Sequence, residues 1–270
     1  MIDKIISGGQ TGADQAALDV AVKYNIPHGG WIPRGRKTEA GPLPPRYRLT
    51  QMPTTDYRDR TWKNIQDSQG TVVFFRRYLT GGSRLTRDFA KSCEKPYCAV
   101  DLLINDPFEA AVMLQSFAGE NKIRVLNVAG PRASHDPGIY TEVKIILETL
   151  FYLIFLAQED DHSILPFPFF SEPVFPVSLD AAVALLDQDL PLKAKADIAR
   201  LDPARIMAVY FSWLENLRFR LGLDAGNTSL LNACNPGIKP GHFSVDDAVM
   251  EIIKALKRHC DKAYQLRVVP

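Results

Sequence analysis

Short apolar runs and longer amphipathic segments alternate along the first 157 residues of the chain. The apolar runs are rich in β-branched residues and predict strands at residues 4–7, 71–75, 97–102 and 124–128, with a weaker one near 26–31. Helical periodicity follows at residues 13–24, 57–68, 84–93, 107–118 and 138–157. The run Thr-Val-Val-Phe-Phe does not alternate, as expected for a strand buried on both faces. The pattern therefore predicts an α/β fold built on a doubly wound parallel sheet.

The pattern changes after residue 157. Four prolines interleave with four phenylalanines in residues 158–177, which predicts an extended linker that packs on a surface. From residue 178 onward only helical patterns occur, with capping serines at Ser178 and Ser244. We expect three parts: a ligand-binding α/β domain at residues 1–157, the linker at 158–177, and a small all-α domain at 178–270.

Composition and charge narrow the function classes. The formal net charge is +1, so bulk electrostatics favour neither nucleic acid nor an anionic membrane as a partner. The longest apolar run, residues 145–156, contains Glu148 and is too short to span a bilayer. The four cysteines are too dispersed for a disulfide framework. The cysteines and the five histidines do not have the spacing of a metal-binding motif. With no leader-like N-terminus, we expect a cytoplasmic protein with thiols of ordinary reactivity.

Three predicted strands end in turns that contain glycine and precede helices. They are residues 7–14 (Ser-Gly-Gly-Gln-Thr-Gly-Ala-Asp), 79–84 (Leu-Thr-Gly-Gly-Ser-Arg) and 129–134 (Ala-Gly-Pro-Arg-Ala-Ser). The carboxyl ends of parallel strands share one edge of a sheet, where these turns would converge. Glycine lets the backbone approach a ligand closely, and the N–H groups at a helix N-terminus attract an anion. We expect a pocket for a phosphate-bearing small molecule, the alternative being tight connections without a ligand.

Residues 29–48 form a second unusual segment, rich in glycine, proline and cations. Arginine side chains in this loop have the geometry to bind phosphate or another oxyanion in two-pronged fashion. A solvated surface loop or a subunit contact is the alternative interpretation. The five cations are Arg34, Arg36, Lys37, Arg46 and Arg48.

Two common phosphate-binding motifs are missing from the glycine turns. No Gly-Lys-Ser/Thr follows any of them, so none is a Walker A loop. None is a complete G-x-G-x-x-G, which disfavours ordinary NAD binding.

Asp14, in the first turn of the helix after the opening loop, has the position expected of an acid that compensates the helix dipole.

Taken together, the segments resemble the molybdenum cofactor carrier family, the circularly permuted YpsA-like branch of the Rossmann-like SLOG (lysine-decarboxylase-like) superfamily. The resemblance covers about the first 155 residues. It rests on five blocks in order: residues 7–18, residues 30–36 with 41–44, residues 67–71, residues 79–86, and residues 126–132 with 137–140.

The resemblance implies a non-catalytic carrier, often oligomeric, that holds molybdopterin and shields it from oxidation. Its terminal phosphate would lie at the helix N-terminus after residues 7–12, with residues 80–83 beside it. The residues implied to bind the cofactor are Ser7, Gly8, Gly9, Gln10, Thr11, Gly12, Asp14, Arg34, Arg36, Lys37, Thr80, Gly81, Gly82, Ser83, Gly130, Arg132 and Ser134.

Two alternatives use the same pocket. One is a sensor that binds a nucleotide-derived ligand and signals to a protein partner through the helical domain. The other is an enzyme similar to nucleotide phosphoribohydrolases, whose motif resembles Pro-Gly-Gly-x-Gly-Thr-x-x-Glu. Here residues 80–88 read Thr-Gly-Gly-Ser-Arg-Leu-Thr-Arg-Asp, so Asp88 is the one residue placed to replace the glutamate. This departure argues against the hydrolase.

The second half resembles, through residues 214–222, 226–227 and 246–248, a small helical domain family of unknown function. The likeness implies no activity. We interpret this part as a packing or interaction module.

Overall fold

The computed structural model describes residues 2–157, 172–239 and 241–264. The chain divides into two compact units, Met1–Glu159 and Asp160–Pro270, which are described separately below. Most of the predicted linker, residues 158–171, lies outside the described residues, and its last six residues belong to the second unit. The three-part division remains a prediction.

The first unit contains nine strands and five helices among its described residues. The strands are β1 (Lys4–Ser7), β2 (His28–Gly29), β3 (Trp31–Ile32), β4 (Lys37–Thr38), β5 (Gly41–Pro42), β6 (Thr50–Gln51), β7 (Gly70–Phe75), β8 (Tyr97–Asp101) and β9 (Val125–Ala129). The helices are α1 (Ala13–Lys23), α2 (Tyr57–Gln66), α3 (Gly81–Ser92), α4 (Pro107–Glu120) and α5 (Ile139–Leu156).

Five strands form one parallel sheet in the order β2-β1-β9-β7-β8. Counted from β9 as the first strand, the order reads 3-2-1-4-5, which is the order of a doubly wound dinucleotide-binding sheet. The chain is therefore a circular permutation of that topology, in which the usual first strand comes last. The α/β class predicted from the alternation of elements is confirmed.

The helices fall into two groups. Helices α1 and α4 each pack on α5, while α2 packs on α3. Crossovers in parallel sheets are right-handed, so connections that run in opposite directions along the sheet place their helices on opposite faces. The interior strand β7 is accordingly buried along most of its length, with Val72, Val73 and Phe74 fully inaccessible. This burial explains why its sequence does not alternate.

Two local predictions were inaccurate in ways that matter for the site. The third helix begins at Gly81 instead of residue 84, so the Gly-Gly-Ser sequence lies in its first turn. The weak strand near residues 26–31 is split between β2, in the main sheet, and β3, which pairs with β6 outside it. The basic loop holds a small antiparallel pair, β4 and β5, that its glycine-rich and proline-rich sequence did not reveal.

The described residues of the second unit form five helices: α6 (Leu179–Asp189), α7 (Leu192–Ala199), α8 (Pro203–Arg220), α9 (Thr228–Cys234) and α10 (Val245–Ala263). Both predicted serine caps are present, since Ser178 accepts a hydrogen bond from Ala181 N and Ser244 accepts one from Asp247 N. Trp213 of α8 is buried in the core of this unit. Helices α7 and α9 were not predicted.

Candidate functional site

An open cavity of about 550 Å³ lies at the carboxyl end of the parallel sheet. It adjoins Phe75 and Ala129, the last residues of β7 and β9, which are neighbours in the sheet. With β9 counted first, this is the point where the strand order reverses, and doubly wound proteins bind their ligands at such a switch point. The three glycine turns follow β1, β9 and β7, the three central strands, as the sequence predicted.

Side chains from four segments line the cavity: the turn before α1, the start of α2, the β7–α3 connection and the β9–α5 connection. The lining residues are Gln10, Asp14, Tyr57, Arg60, Thr61, Phe75, Arg76, Tyr78, Thr80, Gly81, Gly82, Ser83, Leu85, Thr86, Ala129, Gly130, Pro131, Arg132, His135, Asp136 and Pro137.

The first turn of α3 is the most open part of the lining. Apart from adjacent residues and the backbone of α3 itself, no heavy atom lies within 4 Å of the position that a β-carbon would take on Gly81 or Gly82. Thr80 makes no side-chain cap, and the first turn contains no acidic residue. Its N–H groups therefore present a positive helix end to the cavity, which is the local arrangement that binds phosphate.

The space beside each glycine of the opening turn is occupied by other parts of the protein. A β-carbon on Gly8 would overlap the guanidinium group of Arg60, and one on Gly9 would collide with the side chains of Leu43 and Leu49. A β-carbon on Gly12 would meet the backbone at residues 131–133. These glycines let neighbouring parts of the protein pack closely, and none of the three lines the cavity.

The first turn of α1 contains a buried carboxylate, that of Asp14. Asp14 accepts hydrogen bonds from Gln10 N at 3.2 Å and from Arg60 Nη2 at 2.9 Å. Burial raises the pKa of Asp14 above its ordinary value, although the charge of Arg60 and the N–H of Gln10 oppose that rise. Asp14 thus places a negative charge in the first turn of α1, where the sequence placed a phosphate, although no side chain caps that helix.

Glu39 joins three parts of the first unit at the tip of the β4–β5 hairpin. It accepts hydrogen bonds from Thr11 Oγ1, from Ser134 N at 3.0 Å and from Ser134 Oγ at 2.5 Å. Burial by itself would raise the pKa of Glu39, but the hydrogen bonds from Ser134 and Thr11 outweigh it and lower the pKa. Thr11 and Ser134, both predicted to bind the cofactor, are bonded to Glu39 and do not line the cavity.

The cations of the basic loop are also placed away from the cavity. The guanidinium group of Arg36 donates to the backbone carbonyls of Leu43, Pro44, Tyr47 and Leu49, so it organises its own loop. Arg34 and Lys37 are exposed and do not line the cavity. Ser7, also predicted in the site, is fully buried and donates to Val128 O, which ties β1 to β9.

Among the predicted residues, the structure brings eight to the cavity: Gln10, Asp14, Thr80, Gly81, Gly82, Ser83, Gly130 and Arg132. The sequence carries one signal that differs between the two turns, the placement of an acidic residue. The turn before α1 is followed by an acid at position 14, whereas the first turn of α3 has none.

Three arginines line the cavity, and two of them were not anticipated. Arg76 is held by Asp136 at 2.6 Å and Glu142 at 2.5 Å. Arg60 is paired with Asp14, yet its Nε atom is buried without a hydrogen-bond partner. Arg132 has a distant acid, Glu39 at 3.9 Å, and a side chain that is 43% exposed, so it is the arginine most available to an anion.

The described residues contain no group of three or more histidine, cysteine or acidic side chains arranged to hold a metal ion. No helix within the described part of the chain is long and apolar enough to cross a membrane.

These features define the class of protein: a circularly permuted, doubly wound α/β protein with an open cavity at its switch point. The model of the circularly permutated YpsA SLOG family matches residues 5–151, and the chain belongs to that family. This confirms the family resemblance read from the glycine turns and the basic loop.

A solved structure is similar to the first unit. It is the "Putative molybdenum carrier protein" of Syntrophus aciditrophicus SB, 50% identical, with a TM-score of 0.55. The alignment covers 55% of this chain and 94% of that one. No curated protein matches the chain.

Proposed function

We propose that this chain is a carrier that binds a phosphate-bearing cofactor, a molybdenum cofactor of the molybdopterin type, in the cavity between the ends of β7 and β9. The observation that carries the proposal is the open first turn of α3 at this switch point, beside Arg132. The name of the similar solved structure supports molybdenum as part of the cargo.

The phosphate of the cargo is assigned to residues Thr80–Ser83, because Gly81 and Gly82 leave that backbone uncovered. The first turn of α1, where the sequence placed the phosphate, already contains the carboxylate of Asp14. Arg132, whose side chain is 43% exposed, supplies a positive charge at the cavity, and Arg60, which is paired with Asp14, lines the same cavity. Arg34, Arg36 and Lys37 have no part in this assignment.

The proposed role is to hold and shield the cargo without changing it. Asp88, the one replacement for the glutamate of the hydrolase motif, does not line the cavity. It pairs with Arg87 on the exposed surface of α3, and its side chain is 46% exposed. Turnover of a nucleoside monophosphate that vanished in Asp88→Asn would restore the hydrolase interpretation.

The test is to purify the protein from a molybdenum-replete host and to measure bound molybdenum and oxidised-pterin fluorescence. We expect the wild-type protein to carry molybdenum and pterin in equal molar amounts, and the Arg132→Ala variant to retain much less of both. Arg34→Ala is the matched control, because it removes an exposed arginine outside the cavity. Absence of molybdenum and pterin from the wild-type protein would overturn the carrier proposal.

The strand order supports one alternative, a sensor of a nucleotide-derived ligand. The order 3-2-1-4-5 is that of sheets that bind nucleotides at the same switch point. Calorimetric titration with ADP-ribose separates the two functions. Tight binding by a protein that carries neither molybdenum nor pterin would favour the sensor.

We further propose that the carrier works in the cytoplasm as a homo-oligomer and that the helical unit is its contact for a protein partner. Sedimentation equilibrium of the full chain measures the first of these two assembly properties. A mass of one chain at all concentrations would contradict the oligomer. Loss of a captured partner on deleting residues 178–270 would support the second.

A further inference from the structure

Two exposed tyrosines line the cavity beyond the first turn of α3. Tyr78 is 72% exposed and Tyr57 is 42% exposed, so neither ring is used to fill the core. Large aromatic side chains left uncovered in a concave site are the groups that bind planar apolar ligands. Both rings are therefore accessible to a ligand that enters the cavity.

The backbone that presents Tyr78 is strained. Tyr78 N donates to Arg76 O at 2.6 Å, which closes a three-residue γ-turn around Arg77. Arg77 has a φ of 60°, in the left-handed region that residues other than glycine rarely adopt. A γ-turn of this hand is uncommon and strained, and such strain persists where neighbouring contacts enforce it, often at ligand sites.

Contacts on both sides of the turn enforce this conformation. Asp101, the last residue of β8, accepts a hydrogen bond from Arg77 N at 3.0 Å. The side chain of Arg76 is fixed by the carboxylates of Asp136 and Glu142. The turn is thus anchored at its first and second residues, and the third, Tyr78, is presented to solvent at the cavity.

Tyr57 is held by the start of its helix. Asp56 caps α2 by accepting from Arg58 N at 2.8 Å, and Thr61 Oγ1 donates to Tyr57 O at 2.8 Å. Tyr57 is therefore the first residue of a capped helix, and its position does not depend on a ligand. Both rings are carried by backbone that is already ordered.

We propose that Tyr57 and Tyr78 form a ring-binding subsite that selects cargo with a planar heterocycle attached to its phosphate. This inference rests on the proposed function, because it assumes that the phosphate lies at Thr80–Ser83. The two tyrosines determine specificity: they separate ring-bearing phosphates from phosphate esters without a ring. Pterins and nucleotides share this chemistry, and the test below separates them.

The test measures the dissociation constants of three probes by calorimetry: ribose 5-phosphate, AMP and an oxidised pterin monophosphate. In the wild-type protein we expect at least one ring-bearing probe to bind about tenfold more tightly than ribose 5-phosphate. Tyr57→Ala and Tyr78→Ala each weaken that ring-bearing probe by about tenfold, the order found when a stacking aromatic side chain is removed. Both variants leave ribose 5-phosphate binding unchanged.

Two controls keep the result specific. Tyr152→Ala removes a ring that is also 42% exposed but lies on α5 outside the cavity. We expect this variant to leave the dissociation constant of every probe unchanged. Tyr57→Phe and Tyr78→Phe keep the ring and retain binding. Thermal unfolding of each variant confirms that the fold is intact.

The outcomes distinguish this inference from the proposed function. If a ring-bearing probe binds but the tyrosine variants have no effect, or weaken ribose 5-phosphate equally, the ring subsite is overturned and the carrier stands. If AMP binds and the pterin does not, the ring subsite stands and the molybdopterin carrier fails. If no probe binds, both are overturned.

Discussion

The guanidinium group of Arg60 lies over the α-carbon of Gly8, in the space that any β-carbon at that position would take. Gly8 is therefore glycine because an arginine from α2 needs the room. From there Arg60 Nη2 reaches Asp14, in the first turn of α1, at 2.9 Å. In the sequence this glycine turn resembles a phosphate-binding loop. In the structure the space beside Gly8 holds the arginine of an internal ion pair.

Arg60→Ala should destabilise the first unit by about 3 kcal/mol at neutral pH, because it leaves the carboxylate of Asp14 buried without its partner. Asp14→Asn in the same chain should recover much of the loss, since no charge then remains. Urea unfolding of the two single variants and the double variant measures this coupling. Strictly additive losses would show that the pair does not act as a unit.

The cost of Arg60→Ala should also depend on pH. Burial raises the pKa of Asp14 in the folded protein from its ordinary value of 3.8, so ionisation of this group opposes folding as the pH rises. Without Arg60, ionisation of Asp14 opposes folding more strongly, because the positive charge that stabilised the carboxylate is gone. The destabilisation should therefore be larger at pH 7 than near pH 4, and an equal loss at both would contradict the role given to Asp14.

Gly8→Ala tests directly whether Arg60 needs the space beside Gly8. The new methyl group displaces the end of Arg60 from Asp14, and we expect a loss of about 1–3 kcal/mol. In the Arg60→Ala background the space is vacant, so the same substitution should have little further effect. Thermal unfolding of the four proteins gives the coupling, and a full second loss in the double variant would refute it.

Gly82→Ala should separate stability from binding. Gly82 lies in α3 with open space at its β-carbon position, so alanine should raise stability by about 0.5–1 kcal/mol. The methyl group enters the cavity at the proposed phosphate subsite and should weaken binding of inorganic phosphate or the pterin probe at least fivefold. Gly119→Ala is the matched control: it sits in α4 with equally open surroundings, away from the cavity. Unchanged binding in Gly82→Ala would place the phosphate elsewhere.

Glu39→Gln should loosen the hairpin tip from the turns at Thr11 and Ser134. The folded state lowers the pKa of Glu39 below its ordinary value of 4.5, so the ionised carboxylate stabilises folding above that pH, and the contribution is lost as the pH falls. We expect a loss of about 1 kcal/mol at pH 7, less than the worth of a hydrogen bond to a charged acceptor, because the amide oxygen of glutamine still accepts a hydrogen bond. The difference from wild type should shrink below pH 4.5, as followed by thermal unfolding across a pH series.

Asn227→Ala should destabilise the helical unit by about 2–3 kcal/mol, because three buried hydrogen bonds are lost. Asn227 Nδ2 donates to Pro176 O and Leu221 O, both at 3.0 Å, and Oδ1 accepts from Leu230 N. It thereby fastens residues 172–177 to the helices. Hydrogen exchange of peptides from residues 172–264 measures the effect. Asn121→Ala, which removes an exposed asparagine from the first unit, should leave those peptides unchanged.

Element types could be read from the sequence where burial imposes a strong period. Strand β1 has the bounds predicted, β7 and β8 differ by one residue at one end, and β9 is shifted by one residue. The short strands of the basic loop were missed, because two-residue pairs carry no period. Helix α3 was predicted to begin three residues late, since glycines at a helix start resemble a loop until the tertiary structure shows what surrounds them.

The sequence by itself determined the α/β class, the family and the edge of the sheet where the glycine turns meet, because these follow from periodicity and from chain order. Only the tertiary structure decided which turn is open. Gly8 and Gly81 are equivalent as residues, but the space beside Gly8 holds Arg60, which is 52 positions away in the chain, and the space beside Gly81 holds no protein atom. A glycine permits close approach, and what approaches it is set by elements distant in sequence.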